Sequence, residues 1–396
     1  MNTDPPAPSR EPLERAGIVS PGPRGAVTVI FFAFGIGMGL WAGSVAAILA
    51  RSEMGPEPFG VALTLFSAAY LLAMSTAGHA ARRYGSRLIL LVALPLMALS
   101  LAAVLSAQSP TWLFLALIFY GFFAGAVDLT MNVEGSRIER RLGRPIMSGF
   151  HAFVSAGVGI GAVAGSLIAA SSLPESAVAI EGVFLLLAAA AAQRWIVPEA
   201  ETAALRAGQK PRALFGPSLI LLGLIIGLAV ACETGISTWS TVLLKNAAPK
   251  LVRYSGLGAA VFSICQSLLR LNGDRLRGAF DDFTLIIASM AIAIVGVFVL
   301  VADFSFAADV VGFAIVGVGM GVVAPCAFAM AASQPGIPPG AGLSSASMFS
   351  AVARLPAPIV MGALAARMPL SLAFLFYVAM LITGIGATLA FARTQS

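Results

Sequence analysis

Four ionisable side chains interrupt otherwise apolar stretches of this sequence, and they are its main candidates for chemistry. Asp128 and His151 lie in consecutive apolar runs, Glu233 lies in a later one, and Arg354 lies shortly before Pro356. A charge in the hydrocarbon core of a bilayer costs about 2.5–3.5 kcal/mol on insertion scales, so it persists where a partner, a wet cavity or a function compensates. Carboxylate and imidazole groups can carry protons, whereas a guanidinium is a permanent cation that needs a counter-ion.

Asp128 and Asn132 are four residues apart, so a helix places them one turn apart on the same face. His151 is expected at a similar depth, about 10 Å from the same end of the neighbouring helix. A carboxylate, an amide and an imidazole that meet there would relay a proton. The alternative is a structural hydrogen-bond cluster that clamps the two helices together.

Glu233 is the strongest candidate for a coupling or solute-binding group because it lies deep in an apolar run. Arg354 is expected to pair either with Glu233 or with an anionic solute, and a pair that opens when solute binds would satisfy both interpretations. Gln266 is a secondary candidate for the same cavity. Trp239 either lines the site or anchors its helix at the membrane surface, and Arg270 is expected to extend toward the aqueous edge.

The composition indicates a lipid environment rather than water. Of the 396 residues, 59% are hydrophobic and 11% are charged, against about 25% charged in soluble domains, and the mean hydropathy is +0.93. The 3 cysteines and 2 histidines have no metal-ligand or nucleophile–base spacing, and no lysine follows a glycine as in a nucleotide-binding loop. These observations exclude a soluble enzyme and nucleic-acid recognition, and they predict no catalytic residue, metal, cofactor or use of ATP.

The lengths of the apolar runs predict the fold class. A helix needs about 20 consecutive apolar residues to cross the hydrocarbon core, and these runs are too long and continuous for barrel strands, which alternate. We therefore predict an all-α membrane protein with twelve transmembrane helices. The predicted spans, numbered in chain order, are 26–50, 58–78, 86–108, 112–135, 147–170, 176–196, 217–243, 255–271, 283–302, 307–330, 342–366 and 369–392.

The spans divide into two halves of nearly equal size. Residues 1–25 contain six prolines mixed with charges and are predicted to form a disordered cytoplasmic tail. Residues 197–216 are the longest polar interruption and are predicted to be a cytoplasmic linker between six-helix bundles at 26–196 and 217–396. Equal halves joined by a charged linker indicate duplication, so the two bundles are expected to be pseudo-symmetric.

The placement of lysine and arginine predicts the orientation. With the N-terminus in the cytoplasm, 18 of the 24 basic residues fall on that side, 5 fall on the other, and Arg354 lies inside the membrane. Both termini are therefore predicted to be cytoplasmic, in a multi-pass protein of the cell inner (plasma) membrane. We expect a monomer embedded in the lipid bilayer.

Two short basic turns follow the second and eighth predicted spans, at positions 195 residues apart. They resemble the Gly-x-x-x-Asp-Arg-x-Gly-Arg loop of the major facilitator superfamily, in which the turn ties neighbouring helix ends together on the cytoplasmic face. Arg82 stands where the family usually has aspartate, whereas Asp274 restores an acid in the second half. The residues that carry the resemblance are Gly78, Arg82, Arg83, Gly85 and Arg87 in the first turn and Gly273, Asp274 and Arg275 in the second.

A narrower resemblance lies in spans 4, 5 and 7. The segments at 125–132, 143–152 and 233–240 are similar to the fucose-permease-like branch of that superfamily, which contains uncharacterised bacterial inner-membrane permeases. The resemblance implies secondary transport. It also implies that the first and fourth spans of each half line a central path, with Asp128 and Glu233 facing it, and that the second and fifth spans form the contact between the halves.

We therefore expect a secondary active transporter that moves a small polar organic solute by alternating access, as a symporter with protons. The alternatives are an efflux transporter of amphiphilic compounds and a non-transporting membrane sensor, which would need an appended soluble domain. The glycines at 157, 161 and 165 are close to an exporter signature that has a proline in place of Ala162. Small residues that allow close helix packing explain those glycines equally well.

Overall fold

The computed structural model describes residues 22–143, 146–171, 175–196, 216–337 and 339–394, and within these ranges the regular structure is entirely helical. Most of the predicted tail and of the predicted linker lie outside the described residues. The helices are α1 (Pro23–Arg51), α2 (Pro56–Tyr84), α3 (Ser86–Leu105), α4 (Pro110–Leu142), α5 (Met147–Ala169), α6 (Glu175–Trp195), α7 (Pro217–Ala247), α8 (Leu257–Leu271), α9 (Gly273–Ala279), α10 (Asp282–Ala302), α11 (Phe306–Met320), α12 (Val323–Ala332), α13 (Pro339–Arg354), α14 (Pro356–Ala365), α15 (Leu370–Ala373) and α16 (Leu375–Arg393), with a 3-10 helix at Pro249–Tyr254.

All twelve predicted spans are helical, and their observed ends lie within a few residues of the predicted ones except at the end of α4 and α2. Ten described segments are long and apolar enough to cross a membrane, and α6 and the shorter α8 supply the sixth and eighth spans. Each of the last three spans consists of two consecutive helices with a break between them. The pairs are α11 and α12, α13 and α14, and α15 and α16. Pro356 accounts for the break in the eleventh span, since proline has no N–H to donate to the preceding turn.

The turn between α2 and α3 is a single residue. Gly85 has a φ of 85°, in the left-handed region that favours glycine. Gly78 and Arg83, which were predicted to belong to this turn, lie instead in the last turns of α2, and Arg87 lies in the first turn of α3. The basic residues therefore lie at the end of α2 and at the start of α3, because α2 continues beyond its predicted end as far as Tyr84.

The corresponding region of the second half folds as the short helix α9. Arg277 in α9 forms an ion pair with Asp282 at the start of α10, with 2.7 Å between Nε and Oδ1. This pair fixes α9 against the following span. The side chains of Arg82 and Asp274, the two positions that the motif compares, lie outside the described residues.

Asp281 caps the N-terminus of α10, and this cap makes the first prediction. Its Oδ1 accepts a hydrogen bond from the Thr284 backbone N–H (2.9 Å) and its Oδ2 accepts one from the Thr284 hydroxyl (2.7 Å). These bonds, the backbone one first, hold the pKa of Asp281 below its ordinary value. A depressed carboxyl pKa stabilises the folded state above the ordinary value, and that stability is lost as the pH falls through the folded-state pKa.

Asp281→Ala is therefore expected to lower the melting temperature of the detergent-solubilised protein at neutral pH, because the helix loses its cap. The difference from the parent should shrink as the pH falls through the pKa of Asp281. Asp281→Asn is the matched control, since asparagine caps helices without a titratable charge. A melting-temperature difference that stays constant on acidification would contradict this account of the cap.

Close packing in the first half depends on two facing rows of glycine. α1 packs against α5, and backbone atoms of one helix lie against glycines of the other. The exporter-like glycine spacing of α5 is thus used for helix packing. The glycines in the two rows are Gly35, Gly39 and Gly43 in α1 and Gly157, Gly161 and Gly165 in α5.

Equivalent helices pack together in the two halves. The first and fifth spans meet as α1 on α5 and as α7 on α13, and the second and fourth meet as α2 on α4 and as α8 on α11. This repeated pattern is what a duplicated six-helix unit produces. It supports the predicted pseudo-symmetry.

The halves meet through their second and fifth spans, as the resemblance implied, because α5 packs on α8 and α2 packs on α14. We call the end of the bundle at which α1 begins and α16 ends the termini end, and the opposite end the far end. At the far end Gly60 of α2 lies against Gly362 of α14. Thr241 of α7 also donates a hydrogen bond there to the Ala42 carbonyl of α1 (3.1 Å).

The contact between α5 and α8 extends over both ends. Near the far end the Ser166 hydroxyl donates to the Arg253 carbonyl (3.1 Å), just before α8. Near the termini end the Ser267 hydroxyl donates to the Ala152 carbonyl (3.1 Å). Several helix pairs are thus in contact at the far end, whereas the hydrogen bonds that the described residues make between the halves near the termini end join α5 and α8.

Candidate functional site

The first candidate site is a largely buried ion pair between α7 and α8. Arg270 Nη2 lies 3.1 Å from Glu233 Oε2, and the side chains of Arg270 and Glu233 are 13% and 15% exposed. The same guanidinium donates from Nη1 to Ser155 Oγ (3.2 Å) on α5 and from Nε to the Gly321 carbonyl (3.3 Å). Arg270 therefore joins Glu233 to a helix of the other half, and each of its nitrogens has an acceptor.

The sequence explains why the Gly321 carbonyl is available to Arg270. In a continuous helix this carbonyl would accept from the residue four positions later, which is Pro325. Proline has no N–H, and the tenth span breaks between α11 and α12 at this point. The guanidinium satisfies a carbonyl that the helix leaves without a donor.

The expected direction of Arg270 is wrong, and one of the two partners considered for Arg354 is excluded in this arrangement. Arg270 does not extend to the aqueous edge, and Glu233 pairs with Arg270 rather than with Arg354. The long arginine side chain turns into the bundle because the carboxylate, a hydroxyl and a free carbonyl there offset the loss of its hydration. Position near a helix end does not determine the direction in which such a side chain points.

The second candidate site surrounds Asp128 on α4. Asn132 Nδ2 donates to Asp128 Oδ1 (3.0 Å) and to the Asp128 carbonyl (2.8 Å), as the spacing predicted. The Tyr70 hydroxyl of α2 and the Arg354 guanidinium of α13 both interact electrostatically with the Asp128 carboxylate. Arg354 also lies over the Tyr70 ring, with Cζ 5.9 Å from its centroid. Asp128 and Tyr70 belong to one half and Arg354 to the other.

His151 does not join Asp128 among the contacts that the described residues make. It lies edge-on to the Phe31 ring, with centroids 5.5 Å apart, and interacts electrostatically with Arg270. The expected meeting of the two side chains is therefore wrong, and α4 continues beyond its apolar run to Leu142. Asp128 is thus about 21 Å from the end of its helix at the helical rise, whereas His151 is about 6 Å from the start of α5.

Gln266 and Trp239 are both buried inside the bundle. Gln266 is 4% exposed, and its Nε2 has no hydrogen-bond partner among the described residues. Trp239 is 1% exposed and packs edge-on against Phe59 of α2, with ring centroids 5.2 Å apart. Trp41 packs on the same phenylalanine (6.1 Å). Trp239 is therefore part of the far-end contact between the halves and not an anchor at the lipid surface.

Sequence reasoning missed three side chains that these sites use. Tyr70 carried a signal, since a tyrosine in the middle of an apolar run needs a partner for its hydroxyl. Ser155 and Phe59 carried none, because small hydroxyl residues and phenylalanines are common throughout the apolar runs. Their roles depend on contacts between helices that are distant in sequence.

Two halves of six spans each, with charged side chains inside the bundle, are the arrangement found in polytopic membrane carriers. The family model of the Major Facilitator Superfamily matches residues 26–358. The chain belongs to this superfamily.

Relatives of known sequence agree with this assignment. The chain is 30% identical over 357 residues to the uncharacterised transporter y4wD of Sinorhizobium fredii, covering 87% of this chain and 91% of that protein. It is 28% identical over 353 residues to an uncharacterised MFS-type transporter of Yersinia pestis, covering 87% and 89%. It is 26% identical over 383 residues to the membrane protein MosC of Rhizobium meliloti, covering 95% and 93%. The fucose-permease-like branch stays a prediction.

Solved structures show the same fold. A variant of the nucleoside transporter NupG superposes with a TM-score of 0.76 at 13% identity, covering 93% of this chain and 100% of that one. A bacterial homologue of the human lysosomal transporter Spinster, in an inward-facing and occupied conformation, superposes with a TM-score of 0.65 at 14% identity, covering 93% and 96%. At these identities the similarity extends to the fold alone.

Proposed function

We propose that this chain moves a small polar organic solute across the membrane by alternating access and couples that movement to protons. Membership of the superfamily supports transport. The observation that carries the proton coupling is the link from Glu233 through Arg270 to Ser155. It connects a titratable carboxylate to a contact between the two halves.

Protonation of Glu233 would remove the negative charge opposite Arg270. A guanidinium without a counter-ion is strongly destabilised in a region of low dielectric constant. Movement toward water would then lower the free energy of the Arg270 side chain. Its hydrogen bond to Ser155 on the other half would be lost. The proton therefore favours one arrangement of the halves over the other, and this difference in affinity is what coupling requires.

The positive charges support an orientation with the termini end in the cytoplasm of the cell and the protein in its inner membrane. In that orientation the tightly packed far end is extracytoplasmic. The arrangement of the halves would then be inward-facing, with the solute path closed to the outside by α1, α2, α7 and α14.

The proton itself is the probe in the experiment that tests this function. Spin labels at Gln108 and Lys250, which are exposed at the far end in different halves, report the separation of the halves. They are introduced as cysteines in a background without the three native cysteines and measured in lipid vesicles. Acidification is expected to change the distance distribution of the parent, and Glu233→Gln is expected to abolish that response.

Glu53→Gln is the matched control, because Glu53 is an exposed carboxylate at the far end. It should leave the response to acidification intact. A Glu233→Gln protein whose distances still change with pH as in the parent would refute proton coupling through this residue. Solute-driven changes without any effect of pH would leave a carrier that does not use protons.

A further inference from the structure

The two arginines inside the bundle are not equivalent. Arg270 donates through Nε, Nη1 and Nη2 to protein acceptors. Arg354 makes no hydrogen bond to any described residue, and its contacts are the ring face of Tyr70 and a longer-range electrostatic interaction with Asp128. The planar set of N–H donors on its guanidinium is thus available in the middle of the span. A carboxylate binds to such a set in bidentate fashion.

Arg354 is not in direct contact with the carboxylate that balances its charge, and the Tyr70 side chain interacts with both groups. Asp128 and Arg354 interact electrostatically but are too far apart to form an ion pair. They lie on α4 and α13, which belong to different halves and are not in extensive contact. A group bound between them would therefore touch both halves, as the solute of an alternating-access carrier must.

We propose that Arg354 binds a carboxylate group of the solute, and that Asp128 takes up one proton when that carboxylate binds. This inference rests on the proposed transport function and assigns the solute to the organic monocarboxylates. Asp128 and Arg354 together carry no net charge, so an added anion would leave one uncompensated negative charge in the bundle. A proton on Asp128 restores neutrality, and the protonated acid can donate a hydrogen bond to the bound carboxylate.

The groups that face Asp128 are consistent with this exchange. On its own helix they are Asn132, which donates to the carboxylate, and Tyr120, which interacts with Tyr70. From the helices packed on α4 or facing it, Tyr70 of α2 and Arg354 of α13 are the titratable or charged side chains in the described part of the chain that interact with Asp128. Since no second carboxylate joins them, Asp128 is the proton acceptor of this group.

The test measures equilibrium binding to the purified protein through the shift that a bound compound causes in its melting temperature. The probes are lactate, pyruvate and benzoate, which stay ionised between about pH 5.5 and about pH 7.5, and their primary amides as neutral controls. The parent is expected to bind at least one of these carboxylates but not its amide. Its affinity for the carboxylate should fall about tenfold for each unit by which the pH rises, over the range in which Asp128 is ionised.

Asp128→Asn and Arg354→Gln separate the two parts of the proposal. Asp128→Asn is permanently neutral. In the Glu233→Gln background, which removes the other proposed proton site, it should bind the same carboxylate with an affinity that varies less than about twofold across the pH range. Arg354→Gln should lose the binding, whereas Arg354→Lys, which keeps the charge but not the planar fork, should retain part of it. Arg367→Gln, at an exposed far-end arginine, is the matched control and should bind like the parent.

Three results would overturn the proposal. The first is that an amide binds as tightly as its acid. The second is that Arg354→Gln binds the carboxylate as the parent does. The third is that none of the three carboxylates shifts the melting temperature of the parent. A spin-labelled protein that still responds to acidification through Glu233 would then remain a proton-coupled carrier of some other solute. Loss of that response together with intact carboxylate binding would instead contradict the proposed coupling and leave the anion site standing.

Discussion

Replacing Gly161 with leucine is expected to prevent assembly of the first half of the protein. A Cβ atom at Gly161 would lie 2.3 Å from the Ile36 carbonyl oxygen and 2.9 Å from the Leu40 nitrogen, both backbone atoms of α1. Backbone cannot move aside as a flexible side chain can, so α1 and α5 would have to separate along both glycine rows. We expect a cost above about 3 kcal/mol, against a total folding stability of about 5–15 kcal/mol.

The measurement is the yield of monodisperse protein after membrane extraction, together with its melting temperature. Gly386→Leu is the matched control, because Gly386 is exposed on α16 and a Cβ there would meet no atom within 4 Å. It should be produced and should melt like the parent. Parental yield and melting temperature in Gly161→Leu would show that the two rows do not hold the helices at the distance described.

Gly362→Trp is expected to hold the far end open. A Cβ at Gly362 would lie 2.6 Å from the Pro56 carbonyl oxygen and 2.7 Å from the Gly60 Cα, across the contact between α14 and α2. An indole cannot enter this contact, so the closed far end should be destabilised by at least about 3 kcal/mol. Because each 1.4 kcal/mol is a factor of ten, the equilibrium between the two arrangements should move about 150-fold toward the open far end.

Spin labels at Gln108 and Lys250 are expected to report a longer separation in Gly362→Trp than in the parent. The folded state of the variant is checked independently by its melting temperature. Gly55→Trp provides the control, since a Cβ at Gly55 would meet only the Pro58 ring, at 3.9 Å. A folded Gly362→Trp protein with the parental distance would mean that the far end closes without this contact.

The fold was predictable because the bilayer sets the length of each span. Twelve apolar runs of the required length define twelve helices, and the charged segments between them define the halves. The interruptions were not predictable to the same degree. Pro325 and Pro356 each indicate a break, but the sequence does not show that Arg270 from another helix satisfies the free Gly321 carbonyl.

The candidate sites, like the fold, were predictable only in part. Helical periodicity alone predicted the hydrogen bond between Asp128 and Asn132, because both residues lie on one helix. The pairing of Glu233 with Arg270 depends on how α7 and α8 face each other, and α7 is too uniformly apolar for its periodicity to fix its rotation. His151 was expected beside Asp128, but which residues of α4 and α5 lie level with each other depends on how the two helices meet, and the apolar runs do not fix this.

The two seams between the halves differ in length. Along α5 and α8 the described contacts run from Ser166 near one end to Ala152 near the other. Along α2 and the eleventh span they run from Gly60 at the far end only as far as Tyr70 and Arg354. The halves are therefore in contact along more of one side of the bundle than of the other. We therefore expect lipid acyl chains to reach the space between α2 and α13 near the termini end, where the described contacts do not join the halves.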